Sequence, residues 1–313
     1  MKQEPRWQSA GLLLGLWLIW AYSWTASKLG LPYIGALQLA FWRTALGVIT
    51  LAAVLVARGR GFWPTPFWPT FWLGMTQTAG FGALTTLALL AGGAGKVSVL
   101  AYTMPFWTLL LARLFLNERL HGLQWGAVLL ALCGLILILE PWSLHSNPLS
   151  DLLALSGGVS WALSAVIAKR LRARHRVNTL DLTFWQMLWG LIPLALLAWW
   201  VPAPATHWTW RLWAVLLYIG ILASGLGWLV WLLILARLSA GTAGMNVLAI
   251  PAVGSVYPVP PAPVMYFPYL YLAYLAVGVL WILAFYKSKP SASASVRQDL
   301  QLAHDRFTAA AAE

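Results

Sequence analysis

Charged side chains are scarce in this sequence. Asp, Glu, Lys and Arg make up 9% of 313 residues, whereas 61% are hydrophobic; an ordinary soluble domain carries roughly 25% charged residues. That balance excludes a water-soluble fold and a soluble catalytic domain. A membrane-spanning helix needs about 20 mostly apolar residues, and such stretches follow one another from Gly11 almost to Tyr286. Acidic residues are scarcer still. Glu4, Asp299, Asp305 and Glu313 fall near the ends of the chain, Glu118 in a turn, and Glu140, Asp151 and Asp181 at the ends of apolar runs, so none is expected at mid-membrane. The one cysteine, Cys133, lies in an apolar run and can form no internal disulfide. His121, His145, His175, His207 and His304 fall between or beyond the apolar runs, and no pair has metal-ligand spacing. No Gly-rich phosphate loop with its lysine is present. These absences argue against an enzyme and call for no cofactor and no metal. An embedded acyl or phosphoryl transferase would need His or Asp clusters at a membrane face.

What is present is periodic hydrophobicity. Apolar runs broken by charge, Pro and Gly predict helices near 10–28, 35–57, 67–90, 96–116 and 122–140, then 149–170, 180–201, 210–235, 242–257 and 266–286. The expected fold class is an all-α membrane protein of ten transmembrane helices. Prolines at 258, 260, 261, 263 and 268 place a loop between the last two. Lys2 and Arg6 precede an apolar run without a small-x-small cleavage site, which reads as a retained first helix. The net charge of +12 does not indicate nucleic acid, because the basic residues sit at the ends of apolar segments and form no single patch. With the N-terminus inside, the inner segments hold most of the Lys and Arg, including Arg58, Arg60 and a loop at 169–176. The outer edges hold only Lys28, Lys96 and Arg211. By the positive-inside rule both termini are expected in the cytoplasm, in a bacterial-type inner membrane.

The two halves can be laid over one another. Trp20-Ala21-Tyr22-Ser23 followed by Lys28 matches Trp161-Ala162-Leu163-Ser164 followed by Lys169. Leu37, Leu39, Phe41, Trp42 and Gly47 recur as Leu180, Leu182, Phe184, Trp185 and Gly190, and Ala94-Gly95 with Pro105 recurs as Ala240-Gly241 with Pro251. Residues 1–143 and 144–287 thus read as two five-helix repeats, with a flexible tail at 288–313. A unit that crosses the membrane an odd number of times must enter its second copy from the other side, so the repeat is inverted. Inverted repeats of this kind support alternating access.

The fourth and fifth spans carry Tyr102-Thr103-Met104-Pro105-Phe106-Trp107, then Leu116-Asn117-Glu118-Arg119-Leu120, then Gln124-Trp125-Gly126. This resembles the EamA repeat of the drug/metabolite transporter superfamily, in which a Pro precedes an Asn-Glu-Arg turn and a Gln-x-x-Gly-type start. The Trp richness is most similar to the aromatic amino-acid exporters. The resemblance implies a small-solute transporter, with amino acids, aromatic ones included, as the expected substrates and the lipid bilayer as its surroundings. After Pro251 the second repeat is atypical: Tyr257-Pro258-Val259-Pro260-Pro261 stands where a second Glu-Arg turn belongs.

Polar groups inside lipid are the first places to seek a pathway. Arg43, inside the second span, could attract a substrate carboxylate; the competing reading is that it snorkels outward. Trp20, Ser23 and Trp24 on the first span, with Trp161 and Ser164 on the sixth, could form a paired aromatic wall, against packing or an interfacial belt. Gln77 and Phe81 on the third span, Tyr102 before Pro105 and Asn246 before Pro251 complete the candidate substrate-binding set. Pro105 and Pro251 are candidate hinges whose rings would free the carbonyls of Ala101 and Val247. Exporters of multidrug or quaternary-ammonium type usually benefit from a buried carboxylate, and a non-transporting enzyme, sensor or assembly subunit is a further alternative.

Overall fold

A computed structural model of the chain describes residues 6–116 and 147–237, all within one unit covering residues 1–258. Among these described residues the secondary structure is helical and no strand forms. Seven long helices can be followed: α1 (Arg6–Gly30), α2 (Ala36–Ala57), α3 (Phe67–Ala91), α4 (Ala94–Phe115), α5 (Pro148–Arg174), α6 (Thr179–Trp200) and α7 (Trp210–Ala236). The six from α2 to α7 are long and apolar enough to cross a membrane. The spans expected at 122–140, 242–257 and 266–286, the Pro-rich loop and the tail lie outside the described residues.

Local chemistry sets the helix ends. Asn147, Asn178 and Thr209 cap α5, α6 and α7 by accepting from the backbone N–H of Ser150, Leu180 and Leu212. Asp151 and Asp181 occupy first turns, where the helix dipole favours a negative charge. At the far end of α2, Gly59 has φ +63°. The N–H groups of Gly59 and Arg60 turn back to the carbonyls of Val56 and Leu55, a Schellman stop that a side chain with Cβ would strain. The loop expected at 169–176 is shorter than the charge pattern implied. α5 continues through Arg174 and breaks at His175, because Lys and Arg are good helix formers and cations suit the negative end of the helix dipole.

Turns alternate between two faces of the bundle. Residues 58–66 and 175–178 share one, rich in arginine, where Arg60 bonds Asp181 at 3.2 Å and Trp185 Nε1 donates to the Trp63 carbonyl at 2.8 Å. At the opposite face His207 N donates to the Tyr33 carbonyl and Lys96 pairs with Asp151 at 2.9 Å. Lys28, a cation on the sparsely charged face, donates to the carbonyls of Leu89 and Gly92 at the end of α3; it satisfies carbonyls that have no partner within their helix. Aromatic belts follow both faces, with Trp63 and Trp68 exposed at the arginine-rich end and Trp199, Trp200 and Trp210 at the other.

The repeat is visible in three dimensions. α3 and α7 each switch to π-helical geometry midway, over Gly74–Gly80 and Tyr218–Leu226, and π segments often mark functional sites. α6 packs against the π segment of α3, and α2 against that of α7. In both contacts, glycines let backbones meet. A Cβ on Gly190 would lie 2.6 Å from the Gly74 carbonyl oxygen, and one on its counterpart Gly47 would lie 3.2 Å from the Gly225 nitrogen. Small residues in such places permit close helix approach in membranes. The polar pairs correspond too. Arg43 Nε donates to Ser224 Oγ at 3.1 Å, and Thr78 Oγ1 donates to Gln186 Oε1 at 2.7 Å. Gln186 is the counterpart of Arg43 in the α2/α6 register, and Ser224 that of Thr78 in the α3/α7 register.

Candidate functional site

A cavity opens between α1, α2, α3, α4, α5 and α7 in the half of the bundle nearer the face opposite the arginine-rich loops. Its lining includes Trp20, Ser23, Trp24, Arg43, Phe81, Tyr102 and Trp161, seven of the residues singled out by sequence. Ser27, Thr85, Thr86, Leu89, Ala223 and Trp228 complete it.

The floor is aromatic. Trp20 and Trp161 meet edge to face with ring centroids 5.6 Å apart, Trp228 lies 5.0 Å from Trp20 and 5.6 Å from Trp161, and Phe81 lies 5.1 Å from Trp161. Such edge-to-face geometry is favoured by ring quadrupoles. Trp20 is fixed further by its indole N–H, which donates to the Ala223 carbonyl at 2.9 Å. Tyr102 and Trp24, 5.9 Å apart, form a side wall. Trp20 and Trp161 are counterparts under the repeat, so the pseudo-two-fold axis runs between their rings.

Above the floor the polar groups are complementary in kind. Arg43 is the eighth residue of α2, about 12 Å inside the helix end at 1.5 Å per residue. Its Nε bonds Ser224, and among the described residues no carboxylate pairs with it. Ser23 and Ser27 commit their protons to the carbonyls of Trp20 and Ser23, and Thr85 and Thr86 to those of Phe81 and Gly82. Each of these four hydroxyls therefore keeps lone pairs that can accept. One cation that can bind an anion, hydroxyl oxygens that can accept from an ammonium, and an aromatic floor occur in the same space. In this conformation the space is small, about 30 Å³, room for roughly two waters. Ligand pockets generally begin at about 300 Å³, so the site is contracted.

Other sequence candidates fall elsewhere. Gln77 and Ser164 are fully buried just below the floor and approach each other at 3.4 Å. Pro105 stands beyond a break in α4 at Tyr102–Thr103. The Ala101 carbonyl faces Gly158, whose Cβ, if added, would lie 2.8 Å away, so it is covered by α5 and not offered to the cavity. Asn246 and Pro251 lie outside the described residues. Thr85 could have been found in the sequence, because it follows Phe81 by four residues and shares its helix face. Trp228 could not, since its counterpart in the first half is Gly82 and nothing in the spacing distinguishes it from Trp231.

Comparison with known proteins agrees with this architecture. The chain is 29% identical over 233 residues to the uncharacterized transporter YvbV of Bacillus subtilis, covering 74% of this chain and 76% of YvbV. It is 30% identical over 169 residues to a riboflavin transporter of Rhizobium johnstonii, covering 53% of each. A solved crystal structure shares the fold, with a TM-score of 0.68 at 19% identity over 86% of this chain and 95% of that one. The profile of the EamA-like transporter family matches twice, at residues 8–140 and 148–260. With one match in each half, the chain belongs to the EamA-like transporter family and is a multi-pass membrane transporter of ten helices in two inverted repeats.

Proposed function

We propose that the protein exports small organic solutes, amino acids with aromatic side chains foremost, by alternating access of two repeats spanning 1–143 and 144–287. The observation that carries the reading is the cavity itself, where Arg43 stands without a carboxylate partner among the described residues, above a floor of Trp20, Phe81, Trp161 and Trp228. In this reading the solute carboxylate meets the guanidinium, its ammonium meets hydroxyl oxygens of Ser23, Ser27 or Thr86, and its ring rests on the aromatic floor. Trp24 and Tyr102 close the side, and Pro105 lets the two parts of α4 move independently. The arginine-rich face lies in the cytoplasm, by the positive-inside rule, with both termini there and the protein in the inner membrane. Multidrug or quaternary-ammonium export fits less well, because a cavity whose charge is Arg43 repels cations. Among the described residues no carboxylate lines the cavity, which favours facilitated diffusion or exchange over coupling to protons or sodium.

Counterflow in proteoliposomes containing only this protein tests the proposal. Preloaded phenylalanine or tryptophan should drive entry of the labelled amino acid faster than leucine does, and a lipophilic cation should not compete. Preference for the cation or for riboflavin, with aromatic amino acids inert, would overturn it. Orientation is tested separately: a cysteine in place of Arg174 should resist an impermeant reagent applied outside intact cells.

A further inference from the structure

Below the aromatic floor, towards the arginine-rich face, the structure holds polar groups that its own contacts leave unserved. Among the described residues the indole N–H groups of Trp161 and Trp231, whose rings lie 5.3 Å apart, have no acceptor, and neither do the amide nitrogens of Gln77 and Gln186. All four side chains are at most 1% exposed. Turning either amide over places its nitrogen on a hydroxyl oxygen and leaves its oxygen unserved, so the shortfall moves within the amide and is not removed. Among the described residues the Gln186 side chain has one hydrogen-bond partner, the Thr78 hydroxyl, so one end of its amide stays empty in either orientation. The proton of Ser164 goes to the Trp161 carbonyl at 2.6 Å, so at its 3.4 Å approach to Gln77 the hydroxyl can serve one end of that amide only, as an acceptor for the nitrogen. Buried polar atoms are almost always hydrogen-bonded, and an exception calls for an explanation. Four adjoining ones are unlike a packed core.

The repeat supplies the explanation. Arg43 and Gln186 are counterparts, each the eighth residue of its helix, entering from opposite faces and bonded to matching hydroxyls on the two π segments. The open cavity surrounds Arg43. The symmetry-related position is that of Gln186, and there Gln77, Gln186, Ser164 and Trp231 are fully buried. Resting on the reading of the Arg43 cavity as the solute site, we propose a second solute-binding station in the arginine-rich half, occluded in this conformation. In it Gln77, Gln186 and the indole N–H groups of Trp161 and Trp231 take the carboxylate oxygens of the same amino-acid solute. The station differs from the first in charge. Arg43 holds a carboxylate by a full positive charge, whereas the inner station offers neutral donors, so a solute leaving the arginine-rich side is held less tightly there than at Arg43.

The test uses the full chain in proteoliposomes of known orientation, with phenylalanine as the probe. Ser164→Cys, in a Cys133→Ala background, should react with an impermeant methanethiosulfonate applied from the arginine-rich side, and phenylalanine should slow the reaction at least fivefold. Gln77→Leu and Gln186→Leu should each raise KM from the arginine-rich side about tenfold and leave Kd at the opposite face within twofold. No labelling of Ser164→Cys from either side in a transporting protein overturns the station, as do amide variants that change both sides equally or neither. Phenylalanine binding at the opposite face, tested with Arg43→Gln, reports on the first cavity alone. Its failure with Ser164→Cys still labelled from the arginine-rich side removes the solute assignment and leaves the inner opening standing.

Discussion

Replacing Arg43 by glutamine isolates the charge at the centre of the proposed site. The choice is made by the fold: at the counterpart position Gln186 already forms an amide–hydroxyl pair with Thr78 at 2.7 Å, so glutamine at 43 can meet Ser224 in the same manner and the helix contact is kept. What is lost is the guanidinium's grip on a carboxylate. Two unit charges 4 Å apart attract by about 4 kcal/mol at an effective dielectric constant of 20, and this bounds the effect from above. A hydrogen bond to a charged group contributes about 1.5–3 kcal/mol net. At 1.4 kcal/mol per tenfold, Arg43→Gln should weaken binding of phenylalanine or tryptophan roughly 10- to 150-fold. Tryptamine, which keeps the indole and the ammonium but has no carboxylate, should bind the variant at least as well as it binds the parent, because a repelling cation is gone. Titration calorimetry on protein in nanodiscs measures each of the three ligands against both proteins. If phenylalanine affinity falls less than twofold, or tryptamine loses as much as tryptophan, the guanidinium does not hold a carboxylate and the reasoning is wrong.

Other outcomes follow from the same geometry. Trp161→Phe should weaken phenylalanine and tryptophan more than leucine in a competition assay; equal loss at normal expression would assign the ring to packing. Gly190→Ala places a methyl group against Thr78 and the Gly74 carbonyl and should cost about 1–3 kcal/mol through overpacking. Thermal unfolding in detergent would register that cost, with Gly82→Ala, whose nearest neighbour would be 4.0 Å away, as a silent control. With equal phenylalanine on both sides of a proteoliposome, an imposed pH or sodium gradient should produce no net accumulation, and sustained uphill uptake abolished by collapsing the gradient would refute uncoupled transport.

How much of this is legible in the sequence depends on range. Apolar runs long enough to span a bilayer identify α2 through α7 because every backbone polar group in lipid must be paired within its own helix, so hydropathy alone sets the spans. Arg43 stands out for a similarly local reason, as a charge where charge is costly. The inverted repeat survives in Trp, Gly and Pro positions, since side chains at close helix contacts tolerate little change in volume. Which of the 22 tryptophans face the cavity is not local information. Trp20 and Trp161 reveal themselves by coinciding under the repeat, whereas Trp228 is distinguished from Trp231 as a lining residue only by how α7 is rotated against α1 and α5. The π segments are equally invisible, because Gly-rich runs in α3 and α7 read as close-packing surfaces whether the turn is α or π. The cover on the Ala101 carbonyl depends on Gly158 in the other half of the chain, beyond the reach of any rule about residues four apart.

The contact between Trp20 and Trp161 has a mechanical consequence. In a transporter that works by exchanging the conformations of its two halves, a pair lying on the symmetry axis is carried onto itself by the exchange and behaves as a fulcrum. If the protein alternates access as proposed, both end states bear on it alike, so altering the pair should change how fast the protein rocks while leaving the resting poise near where it was. Positions off the axis are different. Arg43 and Gln186 occupy equivalent places but are not alike, and under the proposed mechanism that inequality would act as a weight on one arm of the lever, giving the protein a preferred side even though its two halves share one architecture.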